Sequence, residues 1–248
     1  TAFIFEADSP DYDIEVRFFT PTTEVPICGH ATIAAHYVRA KERNMEGGTV
    51  IQKTKAGILP VEVVRTLSDY SITMTQGTPA VSAPFGDAVR ERIADALGIA
   101  HEELCREYPV AVASTGHSKV MVPLYSNELL HGLRPDLQKL TKISKQIECN
   151  GYYVFTLNPQ NKILVHGRMF APAIGIAEDP VTGNANGPLG AYLVHFNILQ
   201  EEDAPCFDFD ILQGEAIKRD GTMHVHVEKE HGAPKLVQIT GNAVIAFS

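Results

Sequence analysis

Arg17-Phe18-Phe19-Thr20-Pro21, with Ile27-Cys28-Gly29-His30-Ala31-Thr32-Ile33-Ala34-Ala35 close behind it, is the stretch on which the fold turns. It reads as a strand, a loop, and a small-residue turn that opens a helix. The helical run, from about His30 to Arg43, is apolar on nearly every side through Ala31, Ile33, Ala34, Ala35, Tyr37, Val38 and Ala40. A helix with no polar face is wrapped by other structure rather than laid on a surface. Its first turn differs, because the leading backbone amides lack intrahelical partners and carry the positive end of the helix dipole. Gly29 lets a ligand approach that end closely, so the turn is suited to an anionic substrate group.

Working outward, the same stretch recurs. Arg168-Met169-Phe170-Ala171-Pro172 precedes Pro180-Val181-Thr182-Gly183-Asn184-Ala185-Asn186-Gly187 and a second apolar run through Tyr192 and Leu193. Arg-x-Phe-x-Pro matches Arg-x-Phe-x-Pro, and Gly29-His30-Ala31 matches Gly183-Asn184-Ala185. Strand patterns follow each helix, and Ile72-Thr73-Met74-Thr75-Gln76-Gly77 resembles Val237-Gln238-Ile239-Thr240-Gly241. Two copies about 150 residues apart imply an internal duplication with pseudo-twofold symmetry. The fold class expected is α+β: two similar domains, each an antiparallel sheet wrapped around a central buried helix.

The 248 residues can make one large domain or two ordinary ones. With 30 acidic against 21 basic residues the net charge is −9, which argues against nucleic-acid or anionic-membrane partners. No run reaches the roughly 20 apolar residues of a membrane span, and no signal peptide is visible. Cys28, Cys105, Cys149 and Cys206 lie far apart without a Cys-x-x-Cys pair, a poor disulfide framework and a poor zinc site. A reducing, cytoplasmic setting is expected. The chain opens on Thr1-Ala2-Phe3-Ile4-Phe5, already strand-like, so something upstream is expected to be missing.

Alternation of Ile14, Val16 and Phe18 with Glu15 and Arg17 predicts a half-buried strand from Asp13 to Thr20. After the helix, strands are predicted at Thr49–Thr54, Leu59–Arg65 and Tyr70–Gln76. Asp87 should cap a helix with Val89, Ile93 and Leu97 inward and Gly98 as its stop. A boundary is placed near Pro109, giving halves at residues 1–108 and 109–248. The second half is predicted to run through strands at Val110–Ser114 and Lys119–Leu124 and a helix with Pro135 at its first position. Strands at Tyr152–Leu157 and Ile163–Arg168 then lead into the second organising unit. Cys206–Leu212, Thr222–Glu228 and Leu236–Thr240 follow, with Asn242–Phe247 as a last strand that returns to the first half.

The two turns are where chemistry is expected. His30 sits in the opening turn of its helix, where the dipole lowers an imidazole's pKa and favours the neutral form that can trade protons near neutral pH. A hydrogen-bonded cap would explain a lone histidine as well. Glu178-Asp179-Pro180 sets two carboxylates ahead of Thr182-Gly183-Asn184, which caps alone could also explain. Duplication favours chemistry, since both turns should face one cleft. Gly183 to Gly187 is no dinucleotide fingerprint, and no Walker-type Lys-Ser/Thr follows. His30 and His36 fall on different helix faces, and His224 and His226 share a strand face without an evident third ligand, so no metal is expected.

These motifs together, Arg17-Phe18-Phe19-Thr20-Pro21 through Glu24-Val25-Pro26-Ile27-Cys28-Gly29-His30-Ala31-Thr32 and Gly167-Arg168-Met169-Phe170 with Glu178-Asp179-Pro180-Val181-Thr182-Gly183-Asn184-Ala185, resemble the PhzF-like phenazine-biosynthesis isomerase family. That family is related in fold to diaminopimelate epimerase. The resemblance spans essentially the whole chain. It implies an active site between two similar domains, cofactor-independent proton transfer on a small carboxylate substrate, and commonly a homodimer. The family's histidine falls on His30 and its aspartate on Asp179, with Cys28, Gly29, Thr182, Gly183 and Asn184 placed to contact substrate. The family often has Ser where Asn184 stands. The related epimerases use a thiol at each turn; no cysteine stands at the second turn, so a two-thiol mechanism does not apply and Cys28 is read as a packed helix-entry residue. The family's general base is a glutamate in a Glu-Thr-x-Phe pattern whose end resembles Thr1-Ala2-Phe3, so the glutamate would stand just before Thr1. Neither Glu24 nor Glu178 takes its motif position. Two readings follow: an isomerase needing that upstream glutamate, or a non-catalytic carboxylate-binding protein of the same fold.

Overall fold

Residues that alternate between two environments become strands, and residues apolar all round become the helices those strands wrap. The computed structural model describes residues 1–19, 23–199 and 204–245; Thr20 and Pro21 of the opening motif, and the end of the expected last strand at Ala246 and Phe247, lie outside the described residues. The chain divides into two compact units: Thr1–Thr75 with the residues from Gln238 onward, and Gln76–Val237. The first break in packing thus falls at Gln76 and not near Pro109.

The first unit contains β1 (Ala2–Glu6), β2 (Ile14–Phe19), β3 (Glu24–Val25), α1 (Gly29–Glu42), β4 (Gly48–Thr54), β5 (Gly57–Arg65) and β6 (Tyr70–Thr75). β1 and β3 each pair antiparallel with β2, and β4, β5 and β6 form an antiparallel run. Ile14, Val16 and Phe18 of β2 are buried while Glu15, Arg17 and Phe19 are half-buried, the period-two pattern of a one-sided sheet. α1 returns the chain to β4, which lies parallel to β2. Such a pair needs a crossover, and here the buried helix is the crossover. α1 buries Thr32, Ile33, Ala35, His36, Tyr37 and Ala40, and sets Arg39 and Lys41 at its carbonyl end, where cations complement the dipole. Gln238–Gly241 completes this sheet by pairing antiparallel with β6.

The second unit runs β7 (Ala80–Val81), α2 (Asp87–Leu97), β8 (Ala111–Ser114), β9 (Ser118–Pro123), α3 (Asn127–Gly132), α4 (Leu137–Ile147), β10 (Tyr152–Leu157), β11 (Ile163–Ala171), β12 (Ile176–Asp179), α5 (Gly183–His195), β13 (Cys206–Gln213), β14 (Gly221–Glu230) and β15 (Ala233–Gly241), whose last four residues belong to the first unit. β10–β11, β11–β12 and β13–β14 are antiparallel; β11–β13 is parallel across α5, and β9–β10 is parallel across α3 and α4. The sheets are therefore mostly antiparallel rather than wholly so. α5 buries every residue but Asn184 and His195. Ile93 and Leu97 of α2, Leu130 of α3, and Leu140 and Ile143 of α4 share one core with Tyr152, Val154 and Phe170. That shared core is why residues 76–108, read from sequence as part of the first half, pack in the second unit.

The order β1–β2–β3–α1–β4–β5–β6 repeats as β10–β11–β12–α5–β13–β14–β15, with the same parallel crossover in each copy. Three local readings need correction. Asp87 is the first helical residue of α2, and Gly86 is its cap without a side-chain bond. Pro135 stands outside α4, because Asp136 caps that helix by accepting from the amides of Gln138 and Lys139, each at 3.0 Å. Asn242–Ile245 forms no strand. α3, β3, β7 and β12 escape the sequence reading because each is too short to show a period.

Candidate active site

Each copy holds its organising turn with the same device. In the first unit Arg17 donates through Nε to Glu24 Oε1 at 2.8 Å and through Nη2 to Oε2 at 3.0 Å. In the second, Arg168 donates through Nε to Glu178 Oε1 at 2.9 Å and through Nη2 to Oε2 at 2.7 Å. Each guanidinium also lies over the phenyl ring two residues on, 5.4 Å from Phe19 and 5.0 Å from Phe170. Two-point Arg–carboxylate bonds fix orientation as well as distance. These forks clamp β3 to β2 and β12 to β11, so the chain enters each core helix at a set angle.

In the first unit the clamped hairpin delivers Cys28, which caps α1 through its backbone and not its side chain. The Cys28 carbonyl accepts from the Thr32 amide at 2.9 Å and from Thr32 Oγ1 at 2.9 Å. Gly29 is buried and His30 exposed, so the imidazole projects from the first turn. Cys28 Sγ lies 3.6 Å from His30 Nε2 and 3.8 Å from Nδ1. The thiol thus borders the imidazole. Glu24 accepts from Lys55 as well, 2.5 Å away, and its carboxyl is pushed down to about 2, first by the hydrogen bonds from Arg17 and then by Lys55.

In the second unit the clamp delivers Asp179, whose Oδ2 accepts from Thr182 Oγ1 at 2.5 Å. Gln213, buried at the end of β13, closes the turn. Its Nε2 donates to Asp179 O at 2.8 Å and to Thr182 Oγ1 at 3.0 Å, and its Oε1 accepts from the Thr182 amide at 3.2 Å. Oε1 also accepts from Asn186 Nδ2 at 3.1 Å. Both polar groups of Thr182 are engaged, the hydroxyl with the Asp179 carboxylate and the amide with Gln213. The amides of Gly183 and Asn184 have no hydrogen-bond partner among the described residues, as the first turn of a helix requires. Asn184 is half-buried beside them. On the other flank Gln76 donates to Gly183 O at 3.0 Å and accepts from Thr115 Oγ1 at 2.5 Å. A Cβ at Gly187 would fall 1.8 Å from Gln76 Oε1, so only glycine leaves that carboxamide its place.

Cys28 with His30, and Asp179 with Thr182, are brought together as pairs, each within its own unit. Gln213, Asn186 and Gln76 were missed from sequence. Asn186 carried the one readable signal, an amide in the second turn of an otherwise apolar helix. Lys119 is a further buried polar residue that the sequence does not single out. Its side chain is buried along Gly151, where a Cβ would lie 2.5 Å from Lys119 Cδ, and its Nζ donates to Ser118 O at 3.0 Å. Burial holds this amine below its ordinary 10.5, outweighing the pull of Cys149 and Asp179. Glu24 and Glu178, locked in their forks, are poorly placed to accept a proton from carbon.

The family model for PhzC-PhzF, described as phenazine biosynthesis-like protein, matches residues 1–248. An uncharacterized isomerase of Clostridium acetobutylicum is 52% identical over 248 residues, all of this chain and 82% of that protein. The trans-2,3-dihydro-3-hydroxyanthranilate isomerase of Pseudomonas fluorescens is 29% identical over 234 residues, 94% of this chain and 77% of its own. Among solved structures, a Bacillus anthracis phenazine biosynthesis protein of the PhzF family superposes with a TM-score of 0.86 at 30% identity, covering 98% of this chain and 81% of that one.

Proposed function

The chain belongs to the PhzC-PhzF family of phenazine biosynthesis-like proteins, and from that premise we propose that it is an isomerase moving a proton between two positions of a small carboxylated metabolite. The observation that carries the reading is the repeated turn: one copy ends in an imidazole, His30, and the other in a carboxylate, Asp179, each at the amide end of a core helix. On this reading the amide donors of each turn, Gly29 in the first unit and Gly183 with Asn184 in the second, bind anionic groups and stabilise negative charge as the carbon acid ionises. Thr182 and Gln213 aim the Asp179 carboxylate, and Cys28 borders the His30 ring. The likeness of Thr1-Ala2-Phe3 to the end of the family's Glu-Thr-x-Phe pattern assigns removal of the carbon-bound proton, on this reading, to the glutamate of that pattern. That proton returns to a second carbon, so no electron acceptor and no cofactor enters.

Solvent deuterium tests it. Aryl and cyclic amino carboxylates are incubated in D₂O with a chain carrying Glu-Thr-Ala-Phe at its start, and carbon-bound deuterium is read by mass spectrometry. Incorporation that falls by about 10²-fold or more in His30→Gln and in Asp179→Asn, with the circular dichroism spectrum unchanged, supports the reading. Saturable carboxylate binding with no incorporation would replace it with a binding protein of the same fold.

A further inference from the structure

We propose that the outer face of the β13–β14 pair is a binding site for a zinc-class divalent cation, with Cys206, Asp208 and His226 as ligands and His224 as the fourth. Sequence placed His224 and His226 on one strand face but offered no third ligand. The neighbouring strand supplies it: Asp208 sits opposite His226, and Asp210 opposite His224, in the antiparallel register. Ligand atoms of Cys206, Asp208 and His226 all lie within 4.8 Å of one another. Asp208 Oδ1 is 2.7 Å from His226 Nδ1 and 3.2 Å from His224 Nε2, so one carboxylate oxygen faces two imidazoles.

The other ring nitrogen of His224 marks this as more than a surface ladder of paired charges. Nδ1 lies 2.8 Å from Asp210 Oδ1, a carboxylate that can only accept, which holds the proton on that side and leaves Nε2 as the nitrogen turned toward Asp208. A carboxylate steadying the far nitrogen is the usual support of a metal-bound histidine. Two imidazoles, one carboxylate and a thiol form a donor set for zinc, not for calcium or magnesium, which take oxygen alone. Binding would release to solvent the Cys206 thiol proton and whatever proton a ligating imidazole nitrogen shares with Asp208. The site is remote from the chemistry of the core helix. Phe209 and Ile211 of β13 and Val225 and Val227 of β14 are buried on the opposite face, where a Cβ at Gly190 of α5 would lie 2.8 Å from both valines. The cation would staple two strands of the second unit rather than touch substrate. A rival cluster, His131, His166 and Glu215, carries both imidazoles on the same Glu215 Oε2, at 3.3 and 2.7 Å. It has three donor side chains and no thiol, and so serves as the control.

The test uses the full chain stripped of metal by a chelator and titrated with Co²⁺, whose thiolate complexes absorb in the near ultraviolet, and with Zn²⁺ in a calorimeter. Expected are one cation per chain at low micromolar metal and a thiolate-to-cobalt band that vanishes in Cys206→Ser but survives Cys28→Ser. Asp208→Asn combined with His226→Ala should weaken Zn²⁺ binding by about 100-fold or more, and Asp210→Asn by about 10-fold. His131→Ala combined with His166→Ala should change neither readout. Absence of stoichiometric binding, binding that survives the Asp208/His226 pair of substitutions, or binding lost with the His131/His166 pair would overturn the assignment. None of these outcomes depends on whether the chain isomerises anything.

Discussion

Glu24 and Glu178 hold the same place in the two copies but not the same surroundings, and their substitution should separate accordingly. Arg168 and Glu178 have side chains only 7% and 12% exposed, and Arg168 Nη1 spends its remaining protons on the carbonyls of Leu130 and Leu133. Glu178→Gln leaves a buried guanidinium without its counter-charge, which costs on the order of 3–5 kcal/mol. Arg17 is 41% exposed and can return to water, so Glu24→Gln should cost far less. Urea midpoints of the two variants, measured at neutral pH, check the order. The Glu24 carboxyl sits at about 2 against an ordinary 4.5, a depressed acid. Its contribution is therefore full above about pH 4.5 and is lost as pH falls toward 2. Wild type should lose urea resistance across that window more steeply than Glu24→Gln, and identical slopes would remove the fork as the cause. The Arg-x-Phe pattern and the glutamates were readable because they repeat. Gln213 was not, because it reaches Thr182 from 31 residues away and nothing local distinguishes it from any strand-end amide.

At the scale of elements, the two core helices are alike in course and opposite in what they bury. Seven residues beyond the first glycine of each helix, α1 carries His36 and α5 carries Gly190. His36 is buried with Nε2 3.0 Å from Gln52 Oε1, while its Nδ1 and Gln52 Nε2 have no hydrogen-bond partner among the described residues. Burial lowers this imidazole's pKa below its ordinary 6.5, so the folded chain holds it neutral. Stability from that site is full above about 6.5 and is lost as pH falls through the folded value, because the unfolded chain takes up the proton first. His36→Leu should flatten the melting temperature between pH 7 and 5, and an unchanged slope would exonerate it. At the matching position of α5 the constraint is steric. Gly190→Ala would gain about 1 kcal/mol of helix propensity on an open helix. Here its Cβ would lie 2.8 Å from Val225 Cγ1 and Val227 Cγ2, β-branched neighbours with little freedom to turn aside. Overpacking of about 1–3 kcal/mol should win, so thermal denaturation should show a net loss. Sequence marked both helices as wrapped because apolar residues circle them. It could not show that α1 buries an imidazole, since a histidine among alanines looks the same whether it faces water or strand β4.

At the scale of the molecule, the repeat was legible and the division of the chain was not. The duplicated strand–helix–strand order follows from local pattern, which a sequence displays directly. The unit boundary depends on which apolar faces meet, and the faces of α2 and α4 meet through Ile93, Leu97, Leu140 and Ile143. Those partners lie 43 to 50 residues apart in the sequence, with no shared period to announce them. Equally, the first unit is closed by residues from the far end of the chain. Gln238–Gly241 pairs with Ile72–Thr75, reinforced by Thr73 Oγ1 to Thr240 Oγ1 at 2.7 Å and Gln238 Nε2 to Thr75 Oγ1 at 3.1 Å. Ending the chain after Val237 strips β6 of that partner while leaving the second unit's continuous core untouched. Hydrogen exchange read by mass spectrometry should then show protection lost first in peptides covering Tyr70–Thr75 and α1, which packs on β6. Peptides covering Tyr152–Leu157 and α5 should stay as slow as in the full chain. Loss of protection in both sets together would mean that the two units unfold as one, and retained protection at β6 would mean that its pairing with Gln238–Gly241 is not what closes the first unit.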